Sequence, residues 1–162
     1  MRRGGIMLLV LAMALGAGCG SAGAEPPEGG LELADDSAPA EPPEGELELA
    51  VDGRQLEVIW EDNDSVEALK ALAGSGGLEL TAEPYGGFEQ VAALPERIVR
   101  DDRQTTAQPG DIMLYNGSSI VLFYGSNSWS YTRLGRISGL DEAELTELLG
   151  GGGVNITLSV PS

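Results

Sequence analysis

The sequence predicts a mainly β domain carrying two short helices, and three observations predict it. Apolar residues recur either alternately or in short unbroken runs along several segments, as they do in half-buried and fully buried strands. Asp52-Gly53 and Asn116-Gly117 each stand between two such segments, and Asp-Gly and Asn-Gly are the dipeptides that close tight hairpins. Only residues 64–73 and 141–149 space their apolar side chains as helices do.

In chain order, Leu47, Leu49 and Val51 alternate with acids, and residues 55–60 return after Asp52-Gly53, so residues 46–60 form the first predicted hairpin. A helix follows. Asp64 is its predicted N-cap, with Glu67 three residues on completing a capping box. Val66, Leu69, Leu72 and Ala73 make its apolar stripe, and the glycines between Gly74 and Gly77 end it. Residues 78–82 alternate as another strand. Residues 83–108 are punctuated by Pro84, Gly86, Gly87 and Pro95, and predict a long irregular excursion with one short strand at 91–94. Pro109-Gly110-Asp111 turns into a strand at 112–115, and residues 119–124 return antiparallel to it. Both strands are apolar on both faces, which fits a barrel wall covered by a helix. Residues 132–137 make a further strand, and the opposite parity of Leu134 and Ile137 places a bulge at Gly135. The second helix, 141–149, turns Leu145, Leu148 and Leu149 to one side, with Leu140 just before it. Gly150 to Gly153 ends it, and residues 154–160 alternate as the last strand.

The first residues predict export. Met1-Arg2-Arg3 is a basic start, and residues 6–15 are an apolar run too short for a spanning helix, which needs about 20 residues. Small residues follow, completing a secretory signal. Two cleavage readings stand. In one, residues 15–19 act as a bacterial lipobox, so that residues 1–19 are a lipoprotein signal and Cys19 is lipidated, although Gly16 occupies a position that is usually aliphatic. In the other, Ala22-Gly23-Ala24 ends an ordinary signal of residues 1–24. Cys19 is the only cysteine, so in either case the mature chain has no disulfide and depends on its apolar core.

Residues 20–45 read as an acidic, Pro- and Gly-rich disordered tether, unable to bury enough apolar surface to offset its ordering entropy. The tether contains a duplication: residues 24–34 (AEPPEGGLELA) and 40–50 (AEPPEGELELA) differ at one position. Residues 46–162 form the domain. Without the signal, 7 basic residues face 26 acidic ones, a net charge of −19. Nucleic acid is thereby excluded as a partner, because binding it needs phosphate-neutralising Lys and Arg. Membrane attachment would come from lipid and not from charge.

Several segments in register resemble the bacterial cyclophilin-like fold family. They are the first hairpin, the helix opened by Glu61-Asp62-Asn63-Asp64, the Tyr85-Gly86-Gly87-Phe88-Glu89 loop and the Pro109-Gly110-Asp111 turn. The Phe123-Tyr124-Gly125-Ser126-Asn127 corner and residues 129–137 continue the series. The resemblance implies a closed antiparallel β-barrel capped by two helices. True cyclophilins catalyse prolyl isomerisation with an arginine, a phenylalanine and a glutamine, beside a tryptophan and a histidine. This chain has no histidine, and nothing in residues 78–108 matches the arginine motif. The resemblance therefore implies a fold and little chemistry, and no catalytic residue is assigned.

Other constellations are weak. Zinc lacks its usual ligands without histidine and with the one cysteine at the anchor, and residues 61–64 lack the spacing of a calcium loop, so neither metal nor cofactor is expected. Ser126, Ser128 and Ser130 have no histidine to activate them. The strongest candidate surface combines Tyr85, Phe88 and Glu89 with Asn127, Trp129, Tyr131 and Arg133, since aromatics beside Asn and Arg typify recognition surfaces. The competing structural role has these aromatics plugging the barrel mouth, with Arg133 paired to an acid such as Glu89. The expected function is a tethered extracytoplasmic module binding a peptide or small ligand at the barrel mouth. The alternative is an extracytoplasmic prolyl isomerase or folding helper.

If Cys19 is the anchor, a Cys19→Ser variant will lose lipid labelling and leave the membrane fraction. Recovery of the unaltered protein in soluble form, with Glu25 as its first residue, would show cleavage after Ala24 instead.

Overall fold

A computed structural model describes residues 44–161. The signal, Cys19 and residues 20–43 of the tether lie outside the described residues. Nine antiparallel strands and two helices follow one another: β1 (Glu48–Val51), β2 (Arg54–Trp60), α1 (Asp64–Ala73), β3 (Leu78–Tyr85), β4 (Glu89–Ala93), β5 (Arg103–Ala107), β6 (Asp111–Tyr115), β7 (Ser119–Phe123), β8 (Asn127–Ser138), α2 (Glu142–Leu149) and β9 (Val154–Ser159). Eight of the strands pair in the order β2-β1-β9-β3-β4-β7-β6-β8, and β8 pairs back to β2, so the sheet closes on itself. The ninth, β5, pairs only with Asn127 to Tyr131 of β8. No helix among the described residues is long and apolar enough to cross a membrane.

Alternation in each strand sorts the side chains into two cores. Leu49, Leu80, Ala92, Ile112, Leu114, Ile120, Leu122, Leu134 and Ile156 fill the inside of the ring. Val66, Leu69 and Ala73 of α1 and Leu145 and Leu149 of α2 join the same cluster, so both helices cap it. A second cluster lies on the opposite face of the wall. Met113 of β6 and Val121 and Phe123 of β7 pack there with Ala107 of β5 and Tyr131 of β8. Strand β5 and the first half of β8 thus form a ribbon over the outside of β4, β7 and β6.

The predicted hairpin is present. Val51 pairs with Arg54, and Asp52 and Gly53 take φ values of 48° and 78°, the left-handed pair that matches strand twist. The predicted bulge is also present, with Leu134 as the extra residue beside Gly135. Ile112 lies opposite Gly135 and Met113 opposite Arg133, so Leu134 is skipped. Gly135 meets a separate constraint: a Cβ there would fall 2.7 Å from the carbonyl oxygen of Ile59.

Three expectations need correction. The N-cap of α1 is Asn63, one residue earlier than predicted; its side-chain oxygen accepts from Val66 N at 2.9 Å. Glu67 closes no capping box and pairs with Lys70 instead. Asn63 is held in place because its amide also donates to the Arg133 carbonyl at 2.8 Å. Second, half of residues 83–108 is strand. β3 runs through Pro84, which pairs with Gln90 of β4 beyond the last residue shared with β9, and β5 occupies residues 103–107. The sequence Arg103-Gln104-Thr105-Thr106-Ala107 carries no apolar alternation, because only Ala107 of β5 is buried. Third, β8 begins at Asn127 and not at residue 132, so Trp129 and Tyr131 stand on a strand.

Asn63→Ala should lower stability by about 1–2 kcal/mol through loss of the cap. Asn63→Asp keeps the cap oxygen but loses the donor to Arg133, and in thermal melts its Tm should lie between wild type and alanine.

Candidate functional site

The ribbon does not lie flush on the wall. Between them is a cavity of about 380 Å³. Its wall side carries Glu89 and Val91 of β4, Val121 of β7 and Tyr115 of β6. Its ribbon side carries Asn127, Trp129 and Tyr131 of β8, and Tyr85 closes it from the end of β3. The residues on β4 and β8 recur at every second position because one face of a strand supplies them. Glu89, Val121 and Tyr131 are buried and form the floor. Tyr85, Tyr115 and Trp129 are exposed large aromatics and form the rim. This is the outer face of the ring, not its mouth, since neighbouring Gln90, Ala92 and Leu122 point the other way into the interior core.

Five of the seven predicted residues therefore meet in one place: Tyr85, Glu89, Asn127, Trp129 and Tyr131. Phe88 does not line the cavity. It packs against the second core, edge-on to Tyr85 at 6.5 Å, and its carbonyl accepts from Tyr124 N and Gly125 N. Arg133 is also outside. It pairs with Asp111 at 3.1 Å, correcting the expected pairing with Glu89. Asp111 is fully buried, accepts from Gln108 N at 2.9 Å and has Arg136 at 3.6 Å, so it is the better-placed acid for the guanidinium. Sequence reasoning missed Val91, Tyr115 and Val121. Tyr115 reads as a strand end, and only the fold brings it against Tyr131, with ring centroids 6.3 Å apart.

Among the described residues the cavity has one ionic group. Glu89 is 5% exposed, and its Oε2 has no hydrogen-bond partner among the described residues. Burial in an apolar setting penalises the charged carboxylate and pushes its pKa up to about 7. Burial also raises the Tyr131 pKa, and the nearby Glu89 charge raises it further. The Asn127 amide donates to the Tyr131 hydroxyl at 3.0 Å, fixing that ring as part of the floor. A carboxylate titrating near neutrality in a cleft is able to accept a proton, to donate one, or to pair with a cation.

A second hollow lies around Arg100, Arg103 and Arg133. Each arginine there already has an aspartate: Asp102 at 3.1 Å, Asp101 at 2.7 Å and Asp111 at 3.1 Å. With its cations neutralised it offers little to an anion. No cluster of three or more metal-ligating side chains occurs among the described residues.

The sequence model of the cyclophilin-like family matches residues 49–159. Among solved structures, a hypothetical protein from Archaeoglobus fulgidus, determined in solution, is similar, with 17% sequence identity and a TM-score of 0.51. The match covers 70% of this chain and 92% of that one, and at this identity the likeness concerns the fold alone. No curated protein matches the chain.

The folded protein holds the Glu89 proton more tightly than the unfolded chain does, so this group's contribution to stability is present below the ordinary pKa of 4.5 and is lost as pH rises through about 7. The difference corresponds to at most about 3 kcal/mol. Glu89→Gln should accordingly gain on wild type between about pH 5 and pH 8, read as urea midpoints at each pH. A constant difference between the two proteins across that range would contradict the assignment.

Proposed function

This chain belongs to the cyclophilin-like family, and from that premise we propose that it is a binding module whose ligand seats in the aromatic cavity on the outer wall of the ring. One observation carries the reading: exposed Tyr85, Tyr115 and Trp129 rim a cleft whose buried floor contains an unpartnered carboxylate. A mostly apolar cleft with few convergent polar groups is the usual form of a small-ligand site. At about 380 Å³ it holds roughly a dozen non-hydrogen atoms, taking about 30 Å³ for each water-sized unit. That suits a small molecule or one side chain of a peptide. We further propose that the module works outside the cytoplasm on a lipid at Cys19. The supporting observations are the basic start, the short apolar run and a lone cysteine just beyond it.

The two tryptophans give an internal control. Trp60 donates its indole N–H to the Leu47 carbonyl at 2.6 Å and packs against the ring core, whereas Trp129 stands on the rim. In an NMR titration with small aromatic and aliphatic compounds, the Trp129 indole resonance should shift while that of Trp60 stays. Trp129→Ala should weaken any compound so found by about tenfold, the scale of a recognition anchor. Ligands that move Trp60 and leave Trp129 unchanged would refute this site.

A further inference from the structure

We propose that the cavity selects an organic ammonium ion, whose charged head pairs with Glu89 while its apolar part lies among the rings of Tyr85, Tyr115 and Trp129. This deepens the reading of the cavity as a ligand site and rests on it.

The polar atoms that line the cavity decide the class of ligand it can hold. The Asn127 amide donates to the Tyr131 hydroxyl, so the carbonyl oxygen of Asn127 is the neutral acceptor beside Glu89 in the lining. Glu89 Oε2 has no partner, and the residue is nineteen-twentieths buried. Among the described residues neither lysine nor arginine lines the cavity. The nearest candidate in the sequence, Arg133, is held by Asp111. A neutral apolar ligand would bury the carboxylate still further without pairing it, which is costly. An anionic ligand would add repulsion. An ammonium ion supplies both the missing charge and the missing donors.

The rim points the same way. The face of an aromatic ring attracts a cation, most strongly for tryptophan, and three exposed rings surround this opening. The domain field agrees, since residues 51–162 carry 17 acids and 7 bases, a net charge of −10 that favours the approach of cations. The head group is a property of the cavity, and it occurs both in free alkylamines and in lysine side chains.

The test uses titration calorimetry with three ligands of equal chain length: hexylammonium, hexanol and hexanoate. At about pH 8.5, above the Glu89 pKa of about 7, hexylammonium should bind at least about tenfold more tightly than hexanol, the scale of a charge-assisted bond. Hexanoate should not bind. Tyr85, Tyr115 and Tyr131 are the other titratable groups facing the cavity, and burial together with the Glu89 charge moves the Tyr131 pKa further up. Between about pH 8.5 and pH 5.5 Glu89 passes through its pKa of about 7, and hexylammonium affinity should fall over that span while hexanol affinity does not. Glu89→Gln should remove the preference for hexylammonium and keep hexanol binding, which also shows that the variant is folded. Binding of Nα-acetyl-lysinamide comparable to hexylammonium would identify a peptide lysine as the source of the head group, and its failure a free amine. Hexanol binding as well as hexylammonium in the wild type would overturn the ammonium proposal and leave the ligand site standing. Failure of all the ligands would overturn both.

Discussion

The structure depends on β8 being shared between two tasks. Its second half closes the ring, pairing with Asp111 to Leu114 of β6 and with Glu57 to Trp60 of β2. Its first half leaves the ring and pairs with β5 alone. The bulge at Leu134 lies within the ring-closing half, opposite the step from Ile112 to Met113. There the missing side chain of Gly135 lets the Ile59 carbonyl come close. Any side chain at 135 would press β2 away from β8 and strain the closure. Because the first half of β8 is free of the ring, it lies across the outer wall and covers Met113, Val121 and Phe123. The cavity is therefore a consequence of how the ring closes: one strand supplies the last pairing of the wall and one side of the pocket against it.

Ion pairing follows the same division. Asp111 opens β6 at the ring and is fully buried, so an unpaired charge there would be severely unfavourable. Arg133 and Arg136, on either side of the bulge, both reach it. Neither of them lines the outer cavity. The raised pKa of Glu89 comes from its burial, and no arginine among the described residues lining the cavity offsets it.

The fold was legible where side-chain period and turn chemistry agree. Asp52-Gly53 and the alternation around it located the first hairpin, and the parity change between Leu134 and Ile137 located the bulge. Strand β5 was not legible, because a strand with a single buried residue leaves no pattern to read. The cap of α1 was misplaced by one residue because Asn63 and Asp64 are both good caps. The choice was made by the Arg133 carbonyl, distant in sequence, which needs a donor that only the amide provides. Part of the cavity was legible as well. Tyr85, Glu89, Asn127, Trp129 and Tyr131 stand out as polar and aromatic residues beside turns. Val91 and Val121 could not stand out, because apolar residues on a strand look alike whether they face a core or a cleft. Phe88 and Arg133 have the right chemistry, but each is turned aside by a local contact, Phe88 to the second core and Arg133 to Asp111.

Adjacent residues of β4 show what the cavity is under no structural need to contain. Gln90 points into the ring, where its amide donates to the carbonyls of Leu149 and Gly152 and ties the end of α2 to the wall. Only its own carbonyl oxygen lacks a partner. That polar side chain has a mechanical role that an apolar residue could not fill. Glu89 points outward, makes no comparable tie, and lowers stability at neutral pH through its desolvated charge. An apolar residue of similar size would fit the second core around Phe123 and Tyr131 and remove that cost. The proposed ligand would account for a group that weakens the fold without bracing it. The aromatic rim, the lack of Lys and Arg among the described lining residues and the buried carboxylate are the three features on which the proposed ammonium site rests.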